Sequence, residues 1–174
     1  MTARKLLTHN GSGDMAEYGG LSASAGAGSA GDVPVLDATG RLDPSFMPSG
    51  VAAENEVIAA TEALAAGDFV NIYNNAGTPA CRKADGSASG GLAKCAHGYV
   101  LVAVASGANA TVYTDGKNNQ VTGLTAGEVF LSAATPGKAT NTAPTGTGAI
   151  VQSLGVAASA TEINTGFARP ILLA

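Results

Sequence analysis

The chain has little of what chemistry or a thick core requires. It holds no Trp, four Tyr and four Phe in 174 residues, and 13% of it is charged against about 25% in an average globular domain. Its 45% apolar share is weighted toward alanine, and there are 24 Gly. Small side chains remove little area from water, so a core built from them makes a marginal monomer that leans on association. Only two His and two Cys are present. Metal sites usually need three or four ligands at recurring spacings, whereas Cys95-Ala96-His97 is a two-ligand fragment and His9 stands far from it. No orienting acid completes a nucleophile–base pair around Cys95 and His97. Asp115 with Glu128 or Glu162 lacks the spacing of paired catalytic carboxylates. The expectation is therefore a non-enzyme with no metal and no cofactor.

Charge of one sign is never concentrated. Nine Lys and Arg are scattered, as at Arg41, Arg82, Lys94, Lys117 and Lys138, and the net charge is −4. Without a basic face to displace counterions, nucleic acid is not an expected partner. No apolar run reaches the roughly 18 residues of a membrane span, so no membrane association is expected. Arg4 and Lys5 are followed by no hydrophobic stretch, unlike a signal peptide, which points to assembly in the cytoplasm.

What is present falls into two textures. Residues 1–55 read as an extended, largely irregular arm, of which 1–31 are low-complexity around Gly19–Gly31. Gly26-Ala27-Gly28-Ser29-Ala30-Gly31 matches a dinucleotide fingerprint in form only, because no strand precedes it and Asp32-Val33-Pro34 follows. Residues 32–50 differ. Pro34, Pro44 and Pro48 forbid a helix, yet Val33, Val35, Leu36, Leu42, Phe46 and Met47 are too apolar for a free linker. They read as anchors of a segment that docks on a partner, where it can pair with an open strand edge, or else on the chain's own domain.

From 56 to 174 short β-branched and apolar runs alternate with turn signals, the pattern of an all-β sandwich or barrel. Strands are predicted near 56–61, 68–73, 79–84, 94–105, 109–114, 119–122, 128–132, 138–142, 149–158 and 168–173. Leu64-Ala65-Ala66-Gly67-Asp68-Phe69-Val70 is echoed by Leu124-Thr125-Ala126-Gly127-Glu128-Val129-Phe130, each a turn leading into a buried strand. If 79–84 and 94–100 form a hairpin about Ala88, Cys81 and Cys95 face each other across it, a possible pair within disulfide reach.

The block Leu124-Thr125-Ala126-Gly127-Glu128-Val129-Phe130-Leu131-Ser132 carries a resemblance, continued by Thr142-Ala143-Pro144-Thr145-Gly146 and Ile150-Val151-Gln152-Ser153-Leu154-Gly155-Val156-Ala157. In this order these residues resemble tailed-phage capsid proteins of the decoration (cement) and head-fibre type. Val35-Leu36-Asp37-Ala38-Thr39-Gly40-Arg41-Leu42-Asp43 with Phe46-Met47-Pro48 is similar to a segment found near the start of phage fibre and structural proteins. The resemblance implies a virion protein on the capsid exterior, a homotrimer that binds the major capsid protein and stabilises the shell by bridging its subunits. The alternative it implies is a head or tail fibre module that binds the host surface.

Overall fold

A computed structural model describes residues 5–9, 11–38, 40–47, 54–89 and 91–174. The chain forms two compact units, Met1–Ala52 and Ala53–Ala174, and the boundary falls among residues 48–53, outside the described residues.

The N-terminal unit is mostly irregular but opens with a hairpin. β1 (Leu6–His9) and β2 (Met15–Tyr18) pair antiparallel, with Leu7 opposite Glu17 and His9 opposite Met15. Downstream, Leu21 makes a parallel bridge with Pro34, and short 3-10 turns occupy Gly26–Ser29 and Pro44–Phe46. The formal G-x-G-x-x-G match is thus a four-residue 3-10 turn. The expected arm missed the hairpin, because glycine-rich sequence downstream outweighed two four-residue runs flanking a turn-rich pentapeptide.

The C-terminal unit is all β. A closed barrel runs β3 (Asn55–Ala60), β5 (Thr78–Lys83), β4 (Phe69–Asn75), β6 (Gly98–Tyr99) and β7 (Asn109–Tyr113). Four of its seams are antiparallel; β3 and β5 close it in parallel over two residue pairs. A five-stranded antiparallel sheet lies beside it in the order β10 (Ala139–Thr140), β9 (Gly127–Leu131), β12 (Ser153–Ser159), β13 (Glu162–Thr165), β8 (Lys117–Asn118). A small ribbon pairs β11 (Ile150–Val151) with β14 (Ile171–Leu172).

Period-two alternation divides the side chains between two cores. Val70, Val100, Val104, Ala110 and Val112 fill the barrel with Ile58, Leu64 and Cys81. Phe69, Tyr99, Val129, Leu131, Leu154 and Ile163 pack together as a second core between strands of the barrel and the sheet. The echoed segments both behave as read: Gly67 (φ +82°) precedes β4 and Gly127 (φ +130°) opens β9. At Gly67 a Cβ would stand 2.2 Å from the Gln120 carbonyl oxygen, so no side chain fits.

Two expected strands differ, and one strand was not expected. The run 94–105 is strand only at Gly98–Tyr99, because Leu92–Lys94 turn as a 3-10 helix and Leu64 takes Val104 as its bridge partner. The strand expected at 119–122 lies earlier, at Lys117–Asn118. β13 escaped notice because Ile163 is its only buried residue, too little for a visible alternation.

The β4–β5 turn yields a stability prediction. Ala76 (φ +51°) and Gly77 (φ +95°) are its central residues, the geometry that favours Asn-Gly. Ala76→Asn is expected to raise the unfolding free energy by roughly 0.5–1 kcal/mol, and Gly67→Ala to lower it by about 2 kcal/mol or more. Urea unfolding followed by circular dichroism checks both.

Candidate interaction surface

In the unit that carries the docking residues, none of those within 5–47 whose exposure is described is buried. Local hydrogen bonds shape it instead. Val35 N–H donates to the Leu21 carbonyl at 2.8 Å and Leu21 N–H to the Val33 carbonyl at 3.0 Å. Asp37 closes a loop: its N–H donates to the Arg41 carbonyl at 2.8 Å, and its Oδ1 accepts the Arg41 N–H at 2.9 Å. Asp43 Oδ1 accepts the Ser45 N–H at 2.9 Å, capping the second 3-10 turn, and Ser45 Oγ accepts the Ser24 N–H at 2.7 Å.

On this frame Val33, Leu36, Leu42 and Met47 are 41%, 61%, 43% and 42% exposed. Val35 and Phe46 are half-buried, and Val35 abuts Gly20, where a Cβ would lie 2.3 Å from its Cγ1. The six anchors are therefore not equivalent. The hairpin adds two that the sequence reading missed, Leu7 and Met15, exposed on one face with His9 and Glu17. Short apolar runs beside a turn were the available signal.

The cysteine pairing is corrected by strand order. β4 lies between β5 and β6, so the hairpin that would set Cys81 opposite Cys95 does not form, and both thiols are free. Cys81 Sγ is buried inside the barrel, 3.9 Å from the Ile58 carbonyl oxygen. Cys95 Sγ lies 3.3 Å from His97 Nε2, and Ile72 N–H donates to His97 Nδ1 at 3.1 Å. A neutral imidazole carries one N–H; with Nδ1 accepting, that hydrogen sits on Nε2 and faces the sulfur. In this tautomer the ring can neither take the thiol proton nor offer Nε2 to a metal. Burial pushes the Cys95 thiol above its ordinary range, which disfavours the thiolate a nucleophile needs.

Two of the three acids weighed for catalysis have structural partners. Glu162 pairs with Lys117 at 2.8 Å, and Asp115 Oδ1 accepts the Gly116 N–H at 2.7 Å. Among the described residues no group of three or more metal-ligating side chains converges. A pocket of about 210 Å³ near Leu124 and Gln120 has Lys138 as its only charged lining residue. That ammonium is committed to buried Asp68, whose Oδ1 is 2.5 Å away and receives no well-angled hydrogen bond. An open depression beside Tyr73 and Pro79 has the Arg82 guanidinium stacked 4.1 Å over the Tyr73 ring.

Thiol titration tests the corrected arrangement. Native protein is expected to react at Cys95 alone, slowly at neutral pH and faster as the pH rises past the usual thiol range; Cys81 reacts after unfolding. A native protein with neither thiol titratable until reduction would restore the disulfide.

Comparison with protein-family models, with curated proteins and with solved structures found no match.

Proposed function

We propose that this protein is a structural component of a tailed-bacteriophage particle. In this reading it sits on the capsid exterior as a homotrimer, binds the major capsid protein through its N-terminal unit, and stabilises the shell by bridging neighbouring subunits. The observation that carries the reading is the absence of any buried residue among the described part of residues 5–47, while six large apolar side chains there stand exposed. Ordering a residue's backbone costs about 1–2 kcal/mol. Local hydrogen bonds meet part of that cost but bury no large side chain among the described residues of this unit, whereas a fully buried Leu or Met contributes about 1.5–3 kcal/mol. Burial against a partner surface supplies what the unit lacks.

The resemblance carried by the ordered motifs within residues 124–157 and 35–48 supports the phage reading, and the well-packed C-terminal unit suits a body that must persist on a particle. The fibre alternative is less favoured. Receptor recognition by stacking uses exposed aromatics, and each of the eight Tyr and Phe here is buried or half-buried.

Deletion of residues 1–52 is expected to leave a folded β body that no longer sediments with purified shells, while the full chain does so in hundreds of copies per particle. A deletion form that binds as tightly as the full chain would remove the N-terminal unit as the anchor. A dozen copies or fewer would replace the cement reading with a vertex or tail role.

A further inference from the structure

We propose that residues 33–47 engage the partner as a preformed knuckle, inserting Leu36 and Leu42 into an apolar cleft edged by Lys or Arg, and do not add a strand to an open sheet edge. The inference rests on the capsid-binding reading and specifies its mode.

Strand addition requires a run of backbone groups free to bond a new neighbour. Here six N–H groups of the segment are already used. The N–H groups of Val35, Asp37, Gly40, Arg41, Ser45 and Phe46 donate within the unit, to Leu21, Arg41, Asp37 and Asp43. Pro34 and Pro44 have no N–H to offer. Opening this segment into a strand would break at least the Asp37 loop and the Asp43 cap before any new bond formed.

The same bonds aim side chains. The Asp37–Arg41 closure draws residues 37 and 41 together, so Leu36 and Leu42 leave the loop from its two ends, both exposed. An anchor held in place before binding loses less freedom on docking than one on a mobile tail.

Charge specifies the cleft's rim. Asp32 and Asp43 bracket the segment, and neither makes an ion pair among the described residues. The Ser45 hydroxyl and N–H hold the Asp43 carboxyl below its ordinary range, so it is charged at neutral pH. Cations on the partner complement these two carboxylates.

Shells stripped of this protein, titrated with full-length variants and read by sedimentation, test the mode. Leu36→Ala and Leu42→Ala are each expected to weaken binding about tenfold. Asp37→Asn, which keeps the Oδ1 acceptor, is expected to bind as the unaltered chain, whereas Asp37→Ala opens the loop and weakens binding. Raising salt from roughly 50 to 500 mM is expected to weaken it further. The melting temperature of the body, unchanged in each variant, keeps folding separate from docking. If the Leu36→Ala/Leu42→Ala double variant binds undiminished while deletion of residues 1–52 abolishes binding, the knuckle is overturned and the N-terminal anchor stands. If the unaltered chain fails to bind shells, the capsid-binding reading falls and the knuckle with it.

Discussion

Strand β4 serves both cores of the C-terminal unit, and the packing of that unit depends on it. Phe69 belongs to the core shared with the sheet and Val70, the next residue, to the barrel interior; both are fully buried. Around Phe69 the chain gathers half of its aromatic side chains: Tyr99 at 6.3 Å and Phe167 at 6.1 Å between ring centroids, with Tyr113 stacked on Tyr99 at 5.6 Å. Aromatic rings bury the largest area per residue. Concentrating four of them at one place gives an alanine-rich chain a nucleus that its average composition does not suggest.

Buried polar side chains bind the rest. Gln152 reads both sides of the Ala96 peptide, accepting its N–H at 2.8 Å and donating to its carbonyl at 2.9 Å, much as a neighbouring strand would. Asn118 donates to the Gly67 carbonyl at 3.0 Å. Arg82 bonds Asn71 Oδ1, and Asn71 in turn donates to the Cys95 carbonyl. The bonds from Gln152, Asn118 and Asn71 satisfy backbone groups that an irregular segment would otherwise leave bare, and a buried polar group without a partner costs about 1–3 kcal/mol. This is how a unit with strands as short as two residues holds its loops in register.

The two units handle apolar area in opposite ways. The C-terminal unit encloses two sets of side chains around β4, although Val57, Leu92, Val102, Val156, Ile171 and Leu172 stay exposed, whereas the N-terminal unit holds its backbone with serine and aspartate caps and leaves Leu7, Met15, Leu36 and their neighbours in water. Internal hydrogen bonds can fix a loop's shape, but they remove little apolar surface.

Period-two alternation and turn residues were enough to read an all-β body, strands near 68–73 and 79–84, the entries at Gly67 and Gly127, and the apolar character of residues 33–47. Those are local properties, encoded within a few residues of where they act. Strand order was not local. That β4 inserts between β5 and β6, separating Cys81 from Cys95, follows from which faces can be buried together across the whole barrel. Likewise the proton position on His97 depends on the Ile72 amide, 25 residues away in sequence, and the covering of Val35 but not Leu36 depends on Gly20. The sequence by itself determined which segments extend, where they turn and which carry apolar side chains. Tertiary structure alone decided which of those side chains were left uncovered and which reactive groups were silenced, because burial and hydrogen-bond partnership belong to pairs of distant residues.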